Sequence, residues 1–307
     1  MKEMDKKMNE GKRFFDINVN KYDRKKKFAV YRPSSLNQPQ SNSVMFIMEK
    51  YVGMASVLEK VENCLVFWPK EFLVPAQLQE MHAIVLSDAP RKDYNRFFRD
   101  NGIENYPKRD EFEIVKGAVI CKNAVIGNNC IIMPGAYIGG DVTIGNNVYI
   151  GCGTKIVGYV EIGNNVVIRE NTVIGADGLS TERDVDGSAL TMPQFGGVII
   201  GDRVQIGANT VIGRGAIDNT IIRKGCKIDN CCFISHNVVL EEDVFVVGET
   251  LMMGSSRAGK QAYISGNVVV RNKVTIEEGA FIGMGAVVTR NVKKETTVMG
   301  NPAKERM

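Results

Sequence analysis

Residues 126–168 read IGNNCIIMPGAYIGGDVTIGNNVYIGCGTKIVGYVEIGNNVVI, and this stretch decides the fold. An isoleucine stands at every sixth position, and the tetrapeptide IGNN returns at Ile126, Ile144 and Ile162, three hexads apart each time. A period of six belongs neither to a helix nor to an alternating strand. It belongs to a parallel β-helix, in which six residues form one short flat side and three sides close a triangular coil.

The ladder reaches further in both directions. It starts at Ile114, runs to Ile174, resumes at Ile200, Ile206 and Ile212, and continues from Ile222 to Val288. Each ladder residue is expected to point inward and to stack on its equivalents about 4.8 Å above and below. The position four residues on is small or β-branched, as at Val142, Val148, Thr172 and Thr210, which suits a crowded interior corner. Gly, Asn and Asp fill the turns, where left-handed backbone is cheap for them. One hexad buries almost nothing, so stability comes from stacked neighbours.

Around the ladder the chain divides into segments. Residues 1–27 form a charged lead-in. Residues 28–100 alternate strand-like runs (FAVY, VMFIM, NCLVFW, HAIVL) with helix-like ones (GMASVLEKV, FLVPAQLQEM, KDYNRFFRD), which predicts a small α/β domain. Residues 101–113, with Pro107, form a connector. The β-helix occupies 114–292, and the tail 293–307, KKETTVMGNPAKERM, is expected to leave the repeat.

The net charge of +4 does not mark a nucleic-acid binder. Residues 1–27 hold 10 Lys and Arg against 5 Asp and Glu, so the remainder is close to neutral and presents no basic face. No run approaches the roughly 18 apolar residues of a membrane span, and the N-terminus lacks an apolar signal segment. Seven cysteines without metal spacing suit a reducing compartment. Cytoplasmic location is expected, with no transmembrane segment and no nucleic-acid partner. Cys130, Cys226 and Cys232 occupy the small-residue position of their hexads and are read as buried filler.

Two breaks interrupt the ladder. The step from Ile174 to Ile200 exceeds four whole hexads by two positions, and the polar, glycine-rich stretch between them predicts a loop at about 177–198. The step from Ile212 to Ile222 exceeds one hexad by four positions, so GRGAIDNT contains a smaller excursion. Loops projecting from a rigid scaffold are where binding residues gather.

The chain has two histidines. His82, in the apolar run MHAIVL, reads as structural. His236 lies two residues after the inward Ile234 and so belongs outside the coil. Gly254, three hexads later, should sit one coil above it and offer an N–H to a developing oxyanion. Asp229, seven residues earlier, is placed on the adjacent side near the shared corner, where a carboxylate would orient the imidazole. Base, carboxylate and oxyanion donor together suggest acyl transfer. Two histidines, one in another domain, exclude the three-histidine zinc site of a carbonic anhydrase type, and no metal is expected.

The runs IGADG, PQFGGVIIGDRVQIGANTVIGRGAIDNTII and KIDNCCFISHNVV resemble the UDP-3-O-acylglucosamine N-acyltransferase family of hexapeptide acyltransferases. SVMFIMEKYVGMASVLEKVENCLVF resembles that family's nucleotide-binding domain. The resemblance implies a left-handed coil, a homotrimer with sites between subunits, and transfer of a 3-hydroxyacyl chain to a UDP-linked glucosamine of lipid A biosynthesis. It implies His236 as general base, Asp229 as its support and the Gly254 N–H as oxyanion donor. Asn237 would contact the pantetheine arm, and Phe46 and Tyr51 would grip the uracil ring. No bound cofactor is implied, and an acyl-ACP or acyl-CoA thioester serves as donor substrate.

The sequence also departs from that pattern. Gly213 stands where the family has the aspartate of its IDRGA motif, and Lys273 falls near its second active-site histidine. The chain ends in GNPAK, a tail typical of coenzyme A-dependent hexapeptide acetyltransferases, and lacks the family's C-terminal helical extension. Two alternatives therefore stay open: a CoA-dependent acetyltransferase of a sugar hydroxyl or amine, and a non-catalytic hexapeptide scaffold.

Overall fold

A computed structural model describes residues 12–105, 110–302 and 304–306. Residues 1–11 of the charged lead-in and residues 106–109 of the connector, Pro107 included, lie outside the described residues. The described residues form two compact units, one of residues 12–105 with 179–195, the other of residues 110–178 with 196–302 and 304–306.

The larger unit is the coil. Three parallel sheets form its sides, and parallel partners lie three hexads apart, as for Ile138 and Ile156 or Ile234 and Met252. The first side carries Ile120, Ile138, Ile156, Ile174, Ile212, Ile234 and Met252; the second carries Ile144, Ile162, Ile200, Ile222 and Leu240; the third carries Ile150, Ile168, Ile206, Ile228 and Val246. These inward residues form one continuous buried cluster. Each fully buried side chain contributes about 1.5–3 kcal/mol, and only because a neighbour lies above and below. The fold is the parallel β-helix expected of the hexads, with the left hand that the family resemblance implies. Asn129, Asn147 and Asn165 turn one corner with φ of 57°, 56° and 57°. Their neighbours form a ladder in which the Asn146 and Asn164 carboxamides accept from the backbone N–H groups of Asn128 and Asn146.

Both ends of the repeat differ from what the period predicts. Ile114 is not a rung: it is 78% exposed, in a strand Phe112–Val115 that runs antiparallel to Ala118–Cys121. A first rung has no coil beneath it, and the chain turns back at Lys116 and Gly117 to form a hairpin instead. The tail does not leave the repeat at 293. Thr297–Met299 pairs in parallel with Phe281–Ile282, stacking Val298 on Ile282 although the step between them is two positions short of a full coil. Lys304–Arg306 then folds back antiparallel on that strand.

The breaks insert whole segments without disturbing the rungs. Ile162 pairs with Ile200, where an unbroken ladder would bring Ser180 to it, so the first break lengthens one coil by the stretch from Ser180 to Ile200. Ile206 pairs with Ile228, where an unbroken ladder would bring Lys224, so the second break adds four positions. The first insertion forms a hairpin, Thr181–Arg183 against Ala189–Thr191, and belongs to the smaller unit.

That smaller unit has a parallel sheet of Arg32–Pro33, Ser43–Phe46, Leu65–Pro69 and Ala83–Ser87 in sequence order. The helix-like run at 53–61 lies in a 3-10 helix, Glu49–Lys60, and α-helices cover Ala76–Met81 and Pro90–Asp100. The lead-in is part of the domain, since Ile17–Asn18 pairs with Ala29–Val30. Phe195, at the end of the inserted hairpin, packs its ring 5.1 Å from Phe14 and 5.2 Å from Phe98. Asp184 accepts from Arg96 Nε (3.1 Å) and Arg99 Nη1 (2.8 Å). The Arg96 guanidinium, the Val185 N–H and the Arg99 guanidinium hold its carboxyl well below the usual carboxylate range.

His82 is fully buried here. Cys64 N–H donates to its Nδ1 and its Nε2 lies 3.2 Å from the Leu58 carbonyl, so it ties a strand to the 3-10 helix.

Candidate active site

His236 follows the first-side strand Phe233–Ile234 and sits at the corner leading to the second side, half-buried. Glycines flank its ring in space. A Cβ on Gly254 would lie 2.5 Å from His236 Nε2 and 2.7 Å from Cε1, so the imidazole edge rests against the Gly254 backbone one coil above. A Cβ on Gly178 would lie 2.8 Å from His236 Cβ and 2.9 Å from Cδ2. Gly254 carries no positive φ; the close approach of the ring is what requires glycine there. Its carbonyl accepts from Lys273 N–H, while its own N–H has no hydrogen-bond partner among the described residues.

His236 Nδ1 lies 3.0 Å from Asn237 Oδ1. Asn237 takes the left-handed conformation, φ 59°, and its amide reaches into the four-residue excursion of the second break. Ala216 N–H donates to Asn237 Oδ1 (3.1 Å), Asn237 Nδ2 donates to the Asp218 carbonyl (2.6 Å), and Asn237 N–H donates to Thr220 Oγ1 (2.8 Å). The excursion closes so tightly that a Cβ on Gly215 would fall 1.7 Å from the Asp218 carbonyl.

Arg214 belongs to the same corner, one coil below. It is buried, with Nε donating to the Gly196 carbonyl (2.8 Å), Nη1 3.7 Å from Asp177 Oδ1, and its guanidinium 5.8 Å from the Tyr159 ring. Burial lowers the Arg214 pKa, and burial raises that of Asp177 against the pull of Arg214.

The structure does not bring Asp229 to His236. Asp229 leaves the third side and His236 leaves the first, so the two mark opposite ends of one side rather than a shared corner. At about 3.3 Å per extended residue, the strand between them keeps them more than about 10 Å apart. Asp229 Oδ2 accepts from Gly248 N–H (3.2 Å), in a groove shared with Arg169, Lys227 and Phe245. Among the described residues it has no hydrogen bond or ion pair with His236 within the chain.

In the smaller unit Phe46 ends its strand with its ring 4.9 Å from Tyr94. Tyr51 is 42% exposed at the start of the following 3-10 helix, with Lys50 Nζ 4.7 Å from its ring centre. The rings thus stand at the same end of a parallel sheet without a described contact between them.

Sequence reasoning misses Gly178, Arg214 and the cradle around Asn237. Gly178 and Arg214 border the two ladder breaks, which is the signal that points to them.

Comparison with known proteins agrees with the coil. The family "Bacterial transferase hexapeptide (six repeats)" matches residues 123–158 and 141–176, and "Hexapeptide repeat of succinyl-transferase" matches 197–236. A UDP-3-O-acylglucosamine N-acyltransferase of Delftia acidovorans is 37% identical over 128 residues, 42% of this chain and 38% of that protein. One from Francisella tularensis subsp. holarctica is 52% identical over 79 residues, 26% of this chain and 23% of that protein. The chain thus matches well under half the length of these curated relatives. Among solved structures, UDP-N-acetylglucosamine acyltransferases from Campylobacter jejuni (TM-score 0.56) and Bacteroides fragilis (TM-score 0.57) are each 24% identical, covering 63% of this chain and 74% of theirs, and share the fold.

Proposed function

We propose that this hexapeptide-repeat protein, similar over its coil to UDP-3-O-acylglucosamine N-acyltransferases, is an N-acyltransferase acting on a nucleotide-linked amino sugar. The observation that carries the reading is the His236 imidazole edge set against a glycine whose N–H has no hydrogen-bond partner among the described residues. In the reaction, the sugar amine attacks the carbonyl carbon of an acyl thioester. A C–N bond forms while His236 Nε2 takes the amine proton. The carbonyl electrons move to oxygen, and the Gly254 N–H stabilises that oxyanion. On collapse the C–S bond breaks, and the imidazolium returns its proton to the departing thiolate. A thioester is already activated and a neutral amine is a good nucleophile, so these groups suffice.

Phe46 and Tyr51 would hold the base of the nucleotide, and an acyl carrier protein or coenzyme A would deliver the acyl chain, with lipid A or another surface sugar as product. The chain would act as a homotrimer: Phe233 and Leu251 lie on the outer surface of the first side, and Phe245, Tyr263 and Phe281 form a ladder on the third, with centroids 5.8 and 5.2 Å apart. No helix among the described residues is long and apolar enough to cross a membrane. Free thiols at all seven cysteines support a cytoplasmic setting.

The test is a panel of UDP- and dTDP-amino sugars with acyl-ACP, acyl-CoA and acetyl-CoA donors, read by product mass. His236→Ala should lower the rate about 10²–10⁴-fold. An acetylated product formed only with acetyl-CoA would favour the acetyltransferase reading. No product with any donor would leave a scaffold.

A further inference from the structure

The second break of the ladder exists at one coil only, and three of its polar groups converge on a single residue, two of them on its side chain and one on its backbone N–H. Ala216 N–H, the Asp218 carbonyl and Thr220 Oγ1 all bind Asn237. Two of these fix which way the carboxamide points. A backbone N–H can only donate, so the Asn237 atom 3.1 Å from Ala216 N must be the oxygen. A backbone carbonyl can only accept, so the atom 2.6 Å from the Asp218 oxygen must be the NH₂. Flipping the amide would set donor against donor and acceptor against acceptor at both contacts.

With the oxygen fixed toward His236, the ring nitrogen 3.0 Å away must be the donor. A carboxamide oxygen has two lone pairs, and Ala216 N–H and His236 Nδ1–H fill both. We infer that Asn237, held by the 213–220 excursion, is a positioning residue that locks the neutral His236 imidazole as its Nδ1–H tautomer and leaves the Nε2 lone pair free at the Gly254 edge. The inference rests on the acyl-transfer reading only for its consequence. If His236 is the base, the nitrogen facing Gly254 is the one that must accept the amine proton, and the opposite tautomer would present an N–H there instead. The work usually given to a carboxylate is done by a neutral amide, and Asp229 is not required for it.

The test reads the tautomer directly and needs no substrate. In the full chain labelled with ¹⁵N-histidine, two imidazoles give signals, and His236→Ala identifies those of His236. In alkaline buffer, where an imidazole is neutral, His236 should show a pyrrole-type, protonated Nδ1 and a pyridine-type Nε2. Asn237→Gly, which keeps the left-handed turn accessible, should move the two shifts toward the averaged values of a free imidazole. Under the acyl-transfer reading the same variant should lower kcat about 10²–10⁴-fold, with KM changed far less. A wild-type spectrum with the proton on Nε2 overturns the inference. So does a folded Asn237→Gly protein with wild-type shifts. Should that variant not fold, the wild-type spectrum decides alone. If no acyl transfer is found but Nδ1 carries the proton, the positioning role stands and only the proposed function fails.

Discussion

Gly254→Ala is the sharpest perturbation of this corner, because it adds one methyl group and removes nothing. The backbone there does not need glycine for its dihedral angles, and alanine retains the N–H offered to the oxyanion. The new Cβ would lie 2.5 Å from His236 Nε2, against 3.4 Å for ordinary van der Waals contact, so the ring edge must retreat by about 0.9 Å. It has little slack on the far side, where Gly178 lies so close that its own Cβ would fall 2.8 Å from that of His236. Rotating the side chain instead costs about 0.5–1.5 kcal/mol for a strained rotamer and lengthens the 3.0 Å contact to Asn237. A displacement of about 1 Å at a reacting group is worth about 10²-fold in rate. Acyl transfer measured by product mass should therefore fall about 10²-fold in kcat, while thermal unfolding moves little. In a His236→Ala background the same substitution should cost nothing further, because the ring it displaces is gone. A Gly254→Ala enzyme retaining the rate to within about threefold would show that the ring is not confined between the two glycines.

Other consequences follow from single residues. Asp229→Asn should change the rate by less than about threefold, because its carboxylate is engaged by Gly248 N–H at the far end of the side from His236; a loss of about tenfold or more would mean that it serves the histidine of a neighbouring copy. Burial lowers the His82 pKa from 6.5, so the unfolded chain binds a proton more readily than the folded one. Its contribution to stability is complete above about pH 6.5 and shrinks as pH falls toward the folded value; melting temperature should drop between pH 7.5 and 5, and His82→Gln should flatten that slope. Burial pushes the Cys226 thiol up to about 12 and Cys64 and Cys232 up to about 11, whereas Cys152 and Cys231 are exposed. Brief alkylation of the native protein, followed by peptide mass analysis, should label Cys152 and Cys231 and spare the other three.

The ladder is legible in sequence because each rung depends on one inward side chain repeated at a fixed interval, and burial selects that side chain directly. Ile138, Ile156, Ile174 and Ile212 are fully buried, as the period requires. Legibility fails where a rung has a neighbour on one side only. Ile114 keeps the period but has no coil beneath it, and it turns outward; Val298 breaks the period yet stacks, because Ile282 below offers a surface. The same logic separates the two expectations around His236. Gly254 lies a whole coil away, and a whole coil returns the chain to the same corner. Asp229 lies seven residues away, and seven residues carry the chain the length of a side, so sequence proximity misleads.

The residues under the histidine are the harder case, and the breaks hold their addresses. A coil that contains the second break is longer by the step from Lys224 to Ile228, and one that contains the first is longer by the step from Ser180 to Ile200. Going down one coil from His236 with the second correction leads to Arg214. Going down another with the first correction leads to Ala176, whose carbonyl does accept from Arg214 N–H. That arithmetic reaches the neighbourhood but not Gly178 itself. A bulge at Gly175, φ 89°, shifts the pairing by one residue, and the chain then carries Asp177 to Arg214 and Gly178 against the imidazole. No period encodes such a bulge, because it depends on one left-handed glycine outside the repeat. The second break is opaque for a different reason. None of residues 213–219 joins the coil's buried apolar cluster; the excursion supplies the Ala216 N–H and the Asp218 carbonyl to the Asn237 amide, beside the hydroxyl of the rung residue Thr220. Periodicity reports side chains selected for burial, and a device built from hydrogen bonds to the backbone leaves only its length in the sequence.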